Sequence, residues 1–437
     1  MKIDPVIKKL VAAEKRRQKY GLELIPSENY ASPEVLGLLS SVLGNKYSEG
    51  YPSRRYYGGN EIIDDIEKLA IERAMRLFKV PHANVQPYSG SPANFAVYMA
   101  TCKPGDTVMG LNLTDGGHLT HGWKVSATGI FFNSIPYHVK KDGRIDFDEV
   151  EMLAIKHKPR LIWAGATAYV YKYDYKRFAE IADSVGAYLA CDIAHVAGLI
   201  VGEVHPSPAD YAHVITTTTH KTLRGPRGGI IMVTNKGLKK DPDLAKKIDR
   251  AIFPGLQGGP HDHQTASIAQ ALYEAAQPAF KEYATQIVAN SKVLAESLIK
   301  HGLDLVGSGS ENHMMLVDLT NTHGVGSGVF AEKALDLVGL TVNKNTIPGE
   351  QSSPFYPSGI RLGTPAATTR GLREKDMLFI ADKIAEVLNE TKKYVLPESK
   401  IKRQDYIQVC IKELIHNPVI KKIRKEVLSF LIPFRNI

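Results

Sequence analysis

Between about residues 61 and 260 the chain alternates helically spaced apolar residues with short apolar, β-branched runs, and few folds accommodate that alternation. Ile62, Ile66, Leu69, Ala70, Ala74 and Leu77 recur at helical spacing, whereas TVMGL, LIWAGA, AYLACDI, HVITTTT and GGIIMVT read as strands covered on both faces. The expected class is α/β, a mostly parallel sheet flanked by helices. From about Pro278 the texture changes to a long helical stretch through Leu298, the segment DLVGSGSENHMMLVDLT, a helix near 329–338, a strand at LTVNKN and a final helix near 373–390. That order predicts a smaller α+β domain. The resulting division is an N-terminal helical arm over 1–20, a large domain over 21–280, a small C-terminal domain over 281–420 and a basic extension over 421–437.

With 437 residues, 43% of them apolar and 23% charged, the chain is neither disordered, collagenous nor a disulfide scaffold. No apolar run approaches the roughly 20 residues of a membrane-spanning helix. The start, MKIDPVIKKLVAAEKRRQKYG, is amphipathic and charged, so a cytoplasmic protein without a membrane partner is expected. Cys102, Cys191 and Cys410 have no C-x-x-C spacing, which fits a reducing compartment and implies no zinc site. Of the formal charge of +9, five units come from residues 397–437. Such a tail reads either as a solvated helical face or as a contact for phosphate-rich partners. No zinc-finger, RRM or KH signature accompanies it, so nucleic acid is not expected as a partner, and its binding by the tail stays as a second reading.

Chemistry concentrates in a few stretches. In HVITTTTHKTLRGPRGG a strand runs through threonines into Lys221, and the two readings are a surface lysine and an amine held to form a Schiff base. AYLACDIAHVAGL puts Asp192 at a strand end, 29 residues before that lysine, with Ala194 and His195 after it. Such a carboxylate is suited to keep a heteroaromatic nitrogen protonated; a helix cap beside a core histidine is the alternative. In NVQPYSGSPANFAVYMA, Ser89, Gly90 and Ser91 precede an apolar helix, which makes either a phosphate cradle or a plain N-cap. The pattern is neither a P-loop nor a dinucleotide fingerprint.

Two glycine-rich loops add polar groups, NKYSEGYPSRRYYGGN with Tyr47, Glu49, Tyr56 and Tyr57, and LTDGGHLTHG with His118 and His121. Without a fixed carboxylate partner or an HExxH helix, the two histidines do not call for a metal. Residues 343–360, NKNTIPGEQSSPFYPSGI, form a long loop of the kind that often carries function. Arg361 follows, with a fork suited to a substrate carboxylate. A lysine, a buried carboxylate, a phosphate cradle and a carboxylate-binding arginine together describe a pyridoxal-phosphate enzyme acting on an amino acid.

LIPSENY, NKYSEGYPSRRYYGG, NVQPYSGSPANFAVY, GGHLTHG, DIAHVAGL, TTTTHKTLRGPRGG, FPGLQGGP, NHMMLVDL, TVNKN and SGIRLGTPA resemble the serine hydroxymethyltransferase family over about residues 20–420. The resemblance implies the aminotransferase-like fold type I of pyridoxal-phosphate enzymes and a cytoplasmic homodimer. It implies reversible conversion of serine and tetrahydrofolate to glycine and methylenetetrahydrofolate through an aldimine of pyridoxal phosphate. Matched by position, it puts the Schiff-base lysine at Lys221, the pyridine-nitrogen carboxylate at Asp192, the ring-stacking histidine at His118 and the cofactor-hydroxyl partner at His195. It puts the phosphate on Ser89, Gly90 and Ser91, with Tyr47, Gly258 and Gly259 coming from a neighbouring subunit. Thr167 and His220 complete the cofactor's surroundings, Thr218 and Tyr57 join the catalytic residues, and Arg227 shapes the site. The amino acid falls to Ser27, Tyr57 and Arg361, with Glu49 handling a proton, and the pterin to Leu113, Gly117, Leu119, Asn345, Ser353 and Phe355.

This chain departs from the pattern in places. Thr167 stands where many members have Ser, VYKYDY after it is unlike the family, and Asp115 occupies a position often held by His. The last 17 residues, KKIRKEVLSFLIPFRNI, are expected as a basic amphipathic helix past the usual family end. A folate-independent aldolase acting on β-hydroxy amino acids is the alternative activity.

Overall fold

In the computed structural model residues 3–435 are described. Their contacts group into two units, Ala31–Thr285 and a second made of the residues up to Tyr30 together with those from Gln286.

The larger unit is built on seven strands: β1 (His82–Asn84), β2 (Thr107–Leu111), β3 (Asn133–Tyr137), β4 (Leu161–Ala164), β5 (Tyr188–Asp192), β6 (Val214–Thr218) and β7 (Gly229–Val233). Their order across the sheet is β1-β7-β6-β5-β4-β2-β3. The run from β6 through β5, β4 and β2 to β3 is parallel, and β7 pairs antiparallel with both β6 and β1. This is the expected α/β sheet. β6 and β7 are buried along their whole length, which is why they read as unbroken apolar or threonine runs rather than alternating ones. The helix Gly90–Thr101 packs Ala93, Ala96, Val97 and Tyr98 into a core with Trp163, Ala190 and Ile231.

Two details differ from the sequence reading. The strands at 82–84 and 133–137 were not expected, because HAN is too short and polar to register and NSIPY carries a proline, tolerated at the sheet edge where β3 lies. Within the helix Glu61–Phe78, Ile62 and Leu69 are exposed, and the inward face is Ile63, Glu67, Ala70, Ala74 and Phe78. The apolar stripe misleads by a quarter turn because that face carries a buried carboxylate. Glu67 Oε2 accepts from Arg55 Nη2 at 2.7 Å, and Asp64 Oδ1 from Arg55 Nε at 2.8 Å. Arg55 also donates to the carbonyls of Ser48 and Gly50, so this helix holds the Tyr47–Tyr57 loop in shape.

The second unit contains an antiparallel sheet of β8 (Asp304–Leu305), β9 (Met314–Asp318), β10 (Asn343–Asn345) and β11 (Gly359–Gly363), in the order β8-β9-β11-β10. Residues 21–30, expected in the large domain, belong here. Leu22–Glu23 pairs in parallel with Leu340–Thr341, and Leu22 and Leu24 are fully buried in the core that contains Phe330, Leu335 and Ile360. The helix Pro5–Tyr20 buries no residue. Where the sequence reading placed its boundary near 280, the units divide within the helix Pro278–Lys300. Among the described residues no helix is long and apolar enough to cross a membrane.

The helix Glu374–Asn389 is not the final one: Lys400–His416 and Pro418–Phe430 follow. Instead of a solvated extension, Pro418–Phe430 buries Ile420, Ile423 and Val427 in the unit's core, with its lysines at 421, 422 and 425 facing outward. Ile423→Ala should therefore lower unfolding free energy by about 2–4 kcal/mol in urea titrations, whereas an appended helix would lose less than about 0.5 kcal/mol.

Candidate active site

Parallel β2, β4, β5 and β6 deliver their C-terminal ends to one edge of the sheet, and the loops after them carry the polar residues. Asp192 closes β5 with a largely buried carboxylate. Asn94 Nδ2, from the helix Gly90–Thr101, donates to Asp192 Oδ2 at 2.8 Å, and His121 Nε2 lies 3.2 Å from the same oxygen. The Ala194 amide donates to Oδ1 at 3.0 Å. Thr216 on β6 donates to Asn94 Oδ1 at 2.7 Å, which orients that amide toward the carboxylate, and the His121 ring stacks on Trp163 at 4.9 Å.

Burial pushes the Asp192 carboxyl up, but the hydrogen bond and charge of His121, with the charges of His118 and Lys221, outweigh it and hold the group well below the usual carboxylate range. It is an anion at neutral pH. Burial, reinforced by His121 and Lys221, pushes His118 down to about 4, and burial with Lys221 and Arg227 pushes His220 down to about 3. Both rings are therefore neutral at pH 7. The nitrogen and carboxylate atoms of His118, His121 and Asp192 lie within 4.8 Å of one another, a spacing a metal ion could use. Two of the ring nitrogens already have partners, His121 Nε2 in Asp192 and His118 Nδ1 in Thr120 Oγ1 at 2.7 Å.

Lys221 follows β6 in a loop that closes on itself through Thr219 and Gly225, whose amide donates to the Thr219 carbonyl at 2.7 Å. Thr222 donates to the His195 carbonyl at 3.1 Å and accepts from the Gly198 amide at 2.9 Å, pinning the lysine loop to the turn after Asp192. Ser89 starts the helix Gly90–Thr101 without a side-chain cap, so that helix presents its first amides uncapped beside the hydroxyls of Ser89 and Ser91. A Cβ on Gly90 would come within 2.7 Å of Thr218 Cγ2, so only glycine lets the cradle sit against the end of β6. The Thr218 hydroxyl and Nδ1 of His121 and of His220 are buried without a hydrogen-bond partner. An ionised carboxylate, uncapped helix amides and these orphaned polar atoms suit a phosphorylated heteroaromatic group.

Gly116 has φ 96°, and its carbonyl accepts from the amides of Thr167 and Ala168 at 2.7 and 3.1 Å, so Leu113, Gly117 and the half-exposed Leu119 share one loop cluster with Thr167. Asp115 in that loop accepts from Asn112 Nδ2 at 3.3 Å. In the unfamiliar VYKYDY segment the Tyr173 ring meets that of Tyr169, just before the segment, at 4.9 Å and that of Tyr175 at 5.4 Å.

Tyr47, Glu49, Tyr57, Gly258 and Gly259 form another group in the same unit. Tyr47 and Tyr57 meet edge to face at 5.0 Å, Tyr47 is 57% exposed, and Gly258 and Gly259 lie against Glu49 and Tyr47. The Glu49 carboxylate raises the Tyr47 hydroxyl. Tyr88, next to the Ser89–Ser91 cradle, donates from its hydroxyl to the Gly259 carbonyl at 2.7 Å.

In the second unit, Arg361 sits on the central strand β11 and is 5% exposed; burial pushes its guanidinium down to about 10. Its Nε donates to Asn343 Oδ1 at 3.0 Å. The amide of Gly363 on the same strand donates to the Leu24 carbonyl at 2.7 Å, which seats the turn carrying Ser27 beside that strand end. Asn345 lies on β10, Ser353 in the following loop, and Phe355 is 77% exposed. The sequence reading missed Asn94, Thr216 and Asn343. Asn94 is a polar residue on an otherwise apolar helix and Asn343 stands opposite Arg361 in the sheet register, but only the first is visible without a fold.

An α/β sheet of this order, with a lysine beyond β6 and a carboxylate at the end of β5, is the fold type I architecture of pyridoxal-phosphate enzymes. A family model described as serine hydroxymethyltransferase matches residues 1–384. A serine hydroxymethyltransferase from Acidothermus cellulolyticus is 57% identical over 385 residues, covering 88% of each chain. Those of Xanthomonas campestris pv. campestris and Xanthomonas axonopodis pv. citri are 53% identical over 386 residues, 88% of this chain and 91% of theirs. The chain belongs to the serine hydroxymethyltransferase family. The family match ends at 384 rather than near 420, so the last two long helices lie outside it.

Because His118 and His220 are held below the ordinary value of about 6.5, the unfolded chain binds more protons than the folded one in mild acid. Their contribution to stability is full above about pH 6.5 and is lost as pH falls through about 4 and 3. Urea midpoints measured between pH 7 and pH 4 should fall, and His118→Asn with His220→Asn should flatten that fall by up to about 1 kcal/mol per histidine per pH unit.

Proposed function

We propose that the chain interconverts serine and glycine, with tetrahydrofolate as one-carbon carrier and pyridoxal 5'-phosphate as cofactor, in the cytoplasm. The observation that carries this reading is the buried, ionised Asp192 in the same loop set as Lys221 and the uncapped helix at Ser89–Ser91. When bound, pyridoxal phosphate supplies an electron sink for the pair released as the Cα–Cβ bond of serine breaks.

We assign the chain's own residues as follows. Lys221 supplies the amine that anchors the cofactor aldehyde, and Asp192 holds a proton on its ring nitrogen, its negative charge maintained by His121 and Asn94. His118, kept neutral by burial, covers the ring, with Thr167, His195 and His220 around it. Ser89, Gly90 and Ser91 hold the phosphate, and Thr218 lies against the cradle at the end of β6. Arg361 with Ser27 takes the substrate carboxylate, and burial of the guanidinium strengthens that attraction. Glu49, beside Tyr47 and Tyr57, moves the proton of the hydroxymethyl group, and Arg227 shapes the entrance. Leu113, Gly117, Leu119, Asn345, Ser353 and Phe355 are assigned to the pterin, and the aromatic and apolar members suit its flat ring.

We read the working form as a homodimer. Tyr47, which lies against Gly259, and Tyr56 and Tyr57 are exposed, and the helix Pro5–Tyr20 separately exposes Val6, Ile7, Leu10 and Val11; apolar side chains left open in this way are expected to be covered by a second copy.

Purified protein given serine should release glycine only when tetrahydrofolate is present. Equal cleavage without folate would favour the aldolase instead. Lys221→Ala should retain the fold by circular dichroism, lose the visible absorbance of the bound cofactor and lose turnover by at least about 10³-fold.

A further inference from the structure

Arg361 sits on β11 with Leu316 of β9 on one side and Asn343 of β10 on the other. Asn343 Oδ1 accepts from Arg361 Nε at 3.0 Å, while its Nδ2 donates to the Lys344 carbonyl at 2.9 Å and reaches Asn345 Oδ1 at 3.5 Å. The donor side of the amide is thus taken up by its own strand, and the acceptor oxygen is left aimed at the guanidinium. An amide oxygen orients an arginine without neutralising it; a carboxylate in the same place would form a standing ion pair and compete with an arriving carboxylate.

We propose that Asn343 is a positioning residue that sets recognition of the substrate carboxylate, making the site selective for amino acids with a free carboxylate over their neutral amides. The inference rests on the assignment of Arg361 given above. β10 is bonded on one side alone, to β11, so the two-residue link from Asn343 to Asn345 also lets the strand bearing the pterin-assigned asparagine hold the arginine's orienting group.

The test uses the full-length, cofactor-loaded protein. Asn343→Asp keeps shape and size, puts a negative charge beside the guanidinium and exchanges the Nδ2 donor to the Lys344 carbonyl for an acceptor. It should raise the serine KM about 30-fold with kcat within about 3-fold, and should abolish thermal stabilisation by glycine at concentrations that stabilise wild type. Affinity for serinamide and glycinamide, read by the same thermal shift against each variant's own ligand-free melting temperature, should stay within about 2-fold. Asn343→Ala should fall between, with a KM rise of about 5-fold to 10-fold. Undiminished serine affinity in Asn343→Asp overturns the inference while leaving the proposed function intact. Equal losses for serine and serinamide overturn it as well, since they mark a structural role. Wild type that binds neither serine nor glycine overturns the functional reading and this inference together.

Discussion

A negative charge kept inside a protein needs donors around it, and here the donors come from three separate pieces of chain. Asn94 arrives from a helix, His121 from the loop after β2 and the Ala194 amide from the turn after β5, and all three bond to Asp192. Each donor is itself braced, Asn94 by Thr216 and His121 by stacking on Trp163. The network therefore does two things at once. It keeps the carboxylate ionised against desolvation, and it locks the relative positions of the cradle helix, the histidine loop and β6.

The same bracing explains how the lysine loop and the Ser89–Ser91 turn are held. Thr222 binds the turn after β5, and Gly90 lets the cradle approach Thr218 within the space of a missing methyl group. Loops built this way are ordered by backbone contacts to their neighbours rather than by their own secondary structure, so their composition looks like ordinary turn chemistry. The Tyr47–Tyr57 loop is held differently, by the buried Arg55 with Asp64 and Glu67. Removing both acids would leave an uncompensated buried guanidinium.

Much of the larger unit was legible in the residues. Runs such as HVITTTT and GGIIMVT are covered on both faces and so read without ambiguity, and Lys221, Asp192 and the Ser89–Ser91 cradle all stand at the ends of elements where a change of texture announces them. The short β1 and proline-bearing β3 were not legible, because their place is set by neighbours and not by propensity. The inward face of Glu61–Phe78 was misread because a buried ion pair replaces apolar residues there. The C-terminal segment was legible as a basic amphipathic helix, but not that its apolar face docks into the core of its unit.

Periodicity and local chemistry are properties of neighbouring residues, and they were enough to determine the α/β class, five of the seven strands of the sheet and the polar residues that stand at their ends. What only the tertiary structure decided are relations across long stretches of chain: that Asn94 and His121 share one carboxylate, that residues 21–30 join the C-terminal unit, and that Asn343 stands opposite Arg361. The physical reason is that a side chain's partner is chosen by sheet register and strand order, which the chain settles by burying all its apolar surface together.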